Sequence, residues 1–496
     1  MKQRKLNRLA IVCLLIPWAS LVSPAQEQQQ GKPAHLGYKL IDLGTFGGPN
    51  SSETVEFPYI NNRGMVVGFA DTSIPDPSNP EGFFIHAFRW QHDILTDLGT
   101  LPAGLSSFAI WSNNRGEVVG LSGNGLIDPA LGTPEGRAVL WDRAGNIADL
   151  GTLGGDESLA GAINNRGQII GVASNDVPDR YSIFGWATQT RAFVWKKGSM
   201  QDLGTLGGTD ASPSFINQSG QIAGVSYVNS NPSVNCDLPL ITHPFLWQDG
   251  KMIDLGTLGG TCSGVASIND GGEVAGTSNL KGDETAHPFL WHNGKLNDLG
   301  TIGGTFGLAT WLNDAGDVAG AATTADDQEF HAFFWRNGVT IDIGTVAGDT
   351  CSVAHFMNLR GEVSGTSGDC AGEFERHGFV WRPGGPIIDL NDFVPPGSDL
   401  TITDGETIND RGEIAGSGKL PNGDFHAVVL MPCDAEHGHD GGCQESGQKP
   451  HAARQLRPAR DLAAASKGGR KLSPRELVER FLSGRHISGL GSPKNR

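Results

Sequence analysis

Charge is scarce in this chain. Only 18% of its 496 residues are Asp, Glu, Lys or Arg, and Lys, Glu and Leu do not dominate, which excludes a coiled coil or a mainly helical protein. No Gly-X-Y period exists, so the 71 glycines do not make a collagen. No long apolar run follows the N-terminal one, so no transmembrane helix is expected beyond it. The chain also lacks a Gly-x-Ser-x-Gly elbow, a His-Glu-x-x-His pair, a phosphate loop and any nucleophile–base pair of diagnostic spacing. No catalytic residue is therefore assigned, although plentiful carboxylates leave a glycosidase-like pair open. Hydrophobic content is low at 38%, but 11 Trp and 22 Phe argue against wholesale disorder. Such a composition fits many short strands joined by Gly-rich turns. The length would suit three average domains, but all-β folds run longer as one.

The N-terminus reads as a targeting segment. Lys2, Arg4, Lys5 and Arg8 precede a short apolar stretch, Leu9 to Trp18, and Ser23-Pro24-Ala25 supplies small residues for cleavage before Gln26. Residues 1–25 are expected to be a signal peptide, and the protein to be secreted, periplasmic or at the cell surface. Six cysteines remain after Cys13, an even number that favours disulfides in an exported chain. Charge is unevenly distributed: residues 449–496 carry +9, whereas residues 9–448 carry −30. An acidic body argues against nucleic-acid binding. It is compatible with a structural divalent cation or simply with solubility, and no cofactor is expected.

Self-similarity organises the rest. Asp-Leu-Gly recurs at Asp42, Asp97, Asp149, Asp202, Asp254 and Asp298, weakens at Asp342 and ends as Asp389-Leu390-Asn391. Asn-x-x-Gly recurs with Asn at 61, 113, 164, 217, 269, 313, 358 and 409. A third element reads His-Ala-Phe-x-Trp, from His86–Trp90 to a degenerate His426–Leu430. Each appears eight times, in a unit of about 44 residues with insertions. These three elements resemble the HAF family of bacterial extracellular repeats over residues 38–431. That resemblance implies a repeat architecture and export, and carries over no catalytic residue.

One unit, 265–301, predicts four short antiparallel strands: Val265–Ile268, Glu273–Thr277, His287–Trp291 and Leu296–Gly300. Four strands in 44 residues make a propeller blade. The chain begins with a fourth strand, Leu40–Leu43, and its last unit supplies only the first three, so the N-terminal strand is expected to close an eight-bladed β-propeller. An open β-solenoid is the alternative. Trp90, Trp141, Trp195, Trp247, Trp291, Trp335 and Trp381 are expected between blades. Because Arg137 and Arg191 occupy the repeat His position, that ring is read as hydrogen-bond donors to the repeat Asp or a loop carbonyl, and not as metal ligands. Trp111 and Trp311 are expected either in the core or along the central channel.

The unrepeated parts point to function. The second-to-third-strand loops Asp71–Ile85, Gly123–Gly136, Ser174–Thr190 and Tyr227–Thr242 are long and variable, and variable loops on a rigid scaffold commonly bind. Phe83, Phe84, Tyr181, Phe184, Trp186 and Tyr227 are the candidate contact residues. Shared position on one face suggests disulfides Cys236–Cys262 and Cys351–Cys370, with Cys433–Cys443 closing a loop over 432–443 whose acidic and His residues offer metal binding as an alternative. Residues 444–496 read as a disordered basic tail with a short helix near 474–483 behind a Ser-Pro-Arg-Glu cap. The function expected is a non-catalytic scaffold for a polysaccharide, an envelope component or a protein. The alternatives are a carbohydrate-active hydrolase or lyase and a structural surface protein.

Overall fold

The computed structural model describes residues 37–51, 59–77, 79, 82–370, 376–433 and 443–445. The expected signal peptide, the interior of the 432–443 loop and the expected helix near 474–483 lie outside the described residues. Eight antiparallel sheets form an eight-bladed β-propeller, seven of them with four strands in sequence order. Blade 5 shows the unit: strands Gly259–Ile268, Val274–Leu280, Ala286–His292 and Lys295–Asp298, from innermost to outermost. Its third and fourth strands are joined by Asn293-Gly294, both at positive φ (51° and 78°), the backbone that a two-residue hairpin turn requires. Its second strand needs Gly276, where a methyl group would stand 2.0 Å from the Gly264 carbonyl oxygen and 2.6 Å from the Phe289 ring. The Phe of the third-strand motif, here Phe289, meets this glycine from the neighbouring strand.

The eighth blade takes Thr401–Ile408, Ile414–Lys419 and Phe425–Pro432 from the end of the chain and Gly37–Asp42 from its beginning. The closing register sets Leu40 opposite Leu430 and Asp42 opposite Val428. A fifth strand, Gln444–Glu445, then pairs with Gly37–Tyr38. This corrects the expectation that the disordered tail starts at 444. The Cys433–Cys443 disulfide turns the chain back, and Cys433 donates its backbone N–H to the Gly37 oxygen, which holds the return against the closing strand.

The repeat Trp side chains sit between neighbouring blades. Trp141 packs with Met65, Ala87 and Leu98 of blade 1, and Trp381 with Ala319, Phe334 and Ile343 of blade 6. The repeat His and Arg bond to the repeat Asp: His86 Nδ1 donates to Asp97 at 2.8 Å, Arg191 Nε to Asp202 at 3.0 Å, and His426 Nδ1 to Asp42 at 2.9 Å across the closure. Each such Asp also accepts from the glycine N–H two residues on, as Asp298 does from Gly300. Blade 7 departs from the pattern. There Asp389 caps the 3₁₀ turn Leu390–Phe393, and His377 turns to Asp349.

The repeat Asn residues form a closed ring. Each Oδ1 accepts backbone N–H groups of its own turn, as Asn313 does from Ala315 and Asp317, while its Nδ2 donates to the carbonyl oxygen of the Asn in the next blade. The chain of bonds runs Asn61 to Asn113, on through each blade, and from Asn409 back to Asn61 at 2.9 Å. A carboxamide supplies an acceptor oxygen and a donor NH₂ on separate atoms, so one side chain can serve both contacts. Just before this ring, the first strands of blades 2 to 8 carry a β-bulge. The bulge re-aims the next residue, which is aromatic in blades 2, 4, 6 and 7 (Trp111, Phe215, Trp311 and Phe356), and Tyr59 stands at the matching position of blade 1. Their rings meet at the axis, Tyr59 on Trp111 at 3.7 Å and Trp311 on Phe356 at 3.6 Å, with Trp111 and Trp311 from opposite sides 6.5 Å apart. Trp111 and Trp311 therefore plug the channel.

Candidate ligand-binding face

The long second-to-third-strand segments of blades 1 to 4 are extended hairpin arms rather than irregular loops. After a register shift the two strands pair again, Pro75 with Phe83, Ile127 with Pro134, Pro178 with Thr188 and Pro232 with Leu240. The shift has one local cause in all four. A short polar side chain accepts the N–H two residues on: Thr72 from Ile74, Asn124 from Leu126, Asn175 from Val177 and Asn229 from Asn231. That turn leaves the arms with aliphatic side chains in solvent. Ile74 is 57% exposed, Leu126 60%, Ile127 58% and Val177 44%, and Val234 on the blade 4 arm is 99% exposed. Sequence reasoning missed these five residues. Their signal was an aliphatic residue stranded in a polar loop, twice just before Pro (Ile74-Pro75 and Val177-Pro178).

The six aromatic candidates fall into two groups. Phe83 and Phe84 start the third strand of blade 1 and are half-buried, pointing to opposite sides of that strand. Tyr181, Phe184 and Trp186 lie on the blade 3 arm, separated from them by blade 2. Phe184 and Trp186 stack at 5.1 Å, both half-exposed, and the Arg180 guanidinium lies 4.4 Å over the Tyr181 ring. Tyr227 is not a contact residue. It is fully buried, and its hydroxyl donates to the Tyr181 carbonyl oxygen at 3.1 Å, so it holds the arm from beneath. A tyrosine at the end of a strand looks the same in sequence whether its ring turns into the sheet packing or out of it.

Blade 4 grips the blade 3 arm a second time. Asp210, fully buried, accepts the Ile183 N–H at 2.8 Å. Burial, with the neighbouring Asp179 carboxyl, pushes the Asp210 carboxyl up to about 7 against the backbone N–H bonds that lower it. Glu157 plays the matching part between blades 2 and 3. It accepts the Gly136 N–H at 2.7 Å and is also pushed up to about 7, by burial and then by Asp128, Glu135 and Asp156. Farther round, this face is braced by Cys236–Cys262, which ties the blade 4 arm to the first strand of blade 5, and by Cys351–Cys370 within blade 7. Three disulfides suit an oxidising compartment. No group of three or more metal-ligating side chains converges among the described residues, and none of their helices is long and apolar enough to cross a membrane.

No family model matches the chain, and no curated protein matches it in sequence. Several solved structures resemble it weakly over much of its length. The β-propeller domain of the Trilobed protease from Pyrococcus furiosus is 7% identical, with a TM-score of 0.41 over 68% of this chain and 96% of that one. Dipeptidyl peptidase 4 from Porphyromonas gingivalis is 10% identical, with a TM-score of 0.43 over 66% of this chain and 50% of that one. Polysaccharide lyase Uly1 is 7% identical, with a TM-score of 0.37 over 79% and 91%. At such identities and TM-scores the similarity says nothing of this chain's activity.

Proposed function

We propose that this chain is an exported, non-catalytic binding scaffold that engages a polysaccharide, envelope component or protein through the hairpin arms of blades 1 to 4. One observation carries the reading: among the described residues, four neighbouring blades, and not the other four, raise arms that present exposed aliphatic side chains, beside a stacked Phe184–Trp186 pair. Exposed apolar groups gathered on one surface mark interaction sites. The blade 3 arm, which carries that pair, is held from blade 4 by Tyr227 and Asp210, so little ordering entropy opposes binding there. The disulfides and the HAF-like repeat support export. Leu126→Asp and Trp186→Ala alter only exposed or half-exposed arm residues and should leave the unfolding midpoint unchanged. Retention of the chain on an envelope fraction or immobilised polysaccharide should fall about tenfold. Unchanged retention in both variants would refute the proposal.

A carbohydrate-active hydrolase or lyase is the second reading, and it draws on Glu157, a carboxyl pushed up to about 7 and so able to serve as a general acid. Turnover of a glycan that Glu157→Gln alone abolishes, with folding intact, would favour it.

A further inference from the structure

On the opposite face, where the Asn turns lie, blade 1 breaks the repeat in two places, and both changes shape the same groove. In blades 2, 7 and 8 the Arg of the Asn-x-Arg-Gly turn is neutralised by a Glu two residues on: Arg115 by Glu117, Arg360 by Glu362 and Arg411 by Glu413. Blade 1 has Met65 at that position, and Arg63 has no carboxylate partner among the described residues. The second break lies in His-Ala-Phe-x-Trp. The x position is Leu140, Val194, Leu246, Leu290, Phe334, Val380 and Val429 in the other blades, nearly all buried between blades, but it is Arg89 in blade 1. The Arg89 guanidinium crosses to blade 2 and donates to the Arg143 carbonyl oxygen at 3.2 Å. The stem of Arg143 lies with Met65 against Gly116, where the guanidinium of the preceding blade's turn Arg lies against the matching glycine in blade 1 (Arg411 on Gly64) and in blade 3 (Arg115 on Gly167). Arg63 is thereby displaced into the groove.

The result is a cavity of about 590 Å³ lined by Arg63, Arg89, Arg115, Arg143 and Arg411, with His92 beside them and no carboxylate among its described lining residues. The body around it carries −30 over residues 9–448. Arg115 and Arg411 keep their Glu partners, which leaves Arg63, Arg89 and Arg143 of the lining without a carboxylate partner among the described residues, a local positive patch in an acidic protein that attracts anions. Planar guanidinium groups pair with carboxylate, sulfate or phosphate oxygens two at a time. Gln91 and Thr96 add an amide and a hydroxyl to the lining, groups suited to sugar hydroxyls. The surrounding negative charge opposes a long polyanion such as nucleic acid, which needs an extended basic track.

We propose that this groove is a binding site for an acidic saccharide, separate from the arm face and independent of the reading given for it. The test titrates the full chain with an oligogalacturonate, a sulfated oligosaccharide of equal length, a neutral maltooligosaccharide and inorganic phosphate. One or both acidic oligosaccharides should bind, several-fold more weakly at high salt, and the stronger of the two identifies the anionic group. The neutral sugar should not bind, and phosphate should bind at least tenfold more weakly. Arg89→Leu and Met65→Glu install residues that other blades carry at these positions, and each should weaken binding about tenfold. Arg63→Gln, at an exposed turn, should do the same and keeps the test decisive if Met65→Glu fails to fold. Trp186→Ala on the opposite face should leave this binding unchanged. Absence of salt-sensitive binding to both acidic oligosaccharides, equal affinity for phosphate, or unaltered affinity in the variants would overturn the proposal.

Discussion

At the residue scale, the same side chain often serves its own turn and its neighbouring blade. The repeat Asn is the clearest case. Read from sequence it suits a turn, and its Oδ1 does cap one, but its Nδ2 belongs to the next blade. That second role is invisible along the chain, because its partner lies 44 to 53 residues away, or 348 at the closure. Asn313→Ala would leave the buried Asn358 carbonyl without this donor and remove the one oxygen that accepts the Ala315 and Asp317 N–H groups of its own turn, costing about 2–3 kcal/mol. Urea unfolding of that variant against Asn217→Ala, at the equivalent point of another blade, checks both the size and the equivalence. Arg137 and Arg191 show the converse. The exchange of His for Arg at a repeat position was readable as donor chemistry without a metal, and each of the two reaches its repeat Asp.

At the element scale, strand order and spacing were legible because turns, alternation and aromatics recur in register. The first strand of blade 5 begins earlier than its apolar run, at Gly259, because a second stretch of pairing to Leu280 follows a register shift. The arms were legible as places where the repeat lengthens, but not as ordered hairpins, since the side-chain turns that bend them depend on pairing resuming beyond the bulge. Tyr227 and Asp210 fix the blade 3 arm from the next blade, and Asp210 gives that arm a pH dependence. Its native carboxyl, raised from about 3.8 to about 7, keeps its proton after the unfolded chain has lost its own. The attachment of the arm is therefore strongest below pH 4 as far as this group is concerned, weakens progressively as pH rises, and reaches its minimum above pH 7. Amide exchange across Tyr181–Trp186 should accelerate from pH 5 to pH 8 beyond the intrinsic chemical rate, and Asp210→Asn should abolish that excess.

At the scale of the whole molecule, closure is the controlling fact. The strand Gly37–Asp42 covers the edge of blade 8, and its Asp42–His426 pair repeats the contact found within other blades. A chain beginning at Leu43 would expose the third strand of blade 8 as an edge. It should unfold in a broader, less cooperative transition and associate through that edge, measurable by calorimetry and light scattering. The ring of His–Asp pairs also sets a pH profile. Hydrogen bonds donated to Asp342 and Asp42 hold His331 and His426 above the usual 6.5, so their stabilisation is complete below about 6.5 and is lost as pH climbs through the raised native values. For Asp42 and Asp342 burial works upward, but the His bonds and the glycine N–H bonds bring both carboxyls below 3.8, so their contribution fades only in stronger acid. The melting midpoint should therefore peak on the acid side of neutrality, and His426→Arg should flatten the fall above pH 7 by holding its charge.

What the amino-acid sequence determined by itself was the number of units, the four strands in each and the offset of the two termini. Those are local or strictly periodic properties, and eightfold repetition lets each unit confirm the others. Turn chemistry in Asn293-Gly294 and alternation in His287–Trp291 need only their own neighbours. Beyond the Cys236–Cys262 pairing and the repeat Trp positions, the tertiary structure alone decided which residues meet across blades. The aromatic plug joins Trp111 to Trp311, 6.5 Å apart in space but four units apart in sequence, and the arginine groove collects side chains from blades 8, 1 and 2. No spacing rule connects such residues, because the curvature that brings them together arises only when the ring closes. Burial is likewise a property of the closed ring, which is why Tyr227 and Phe184, both aromatic residues beside variable loops, came to opposite ends.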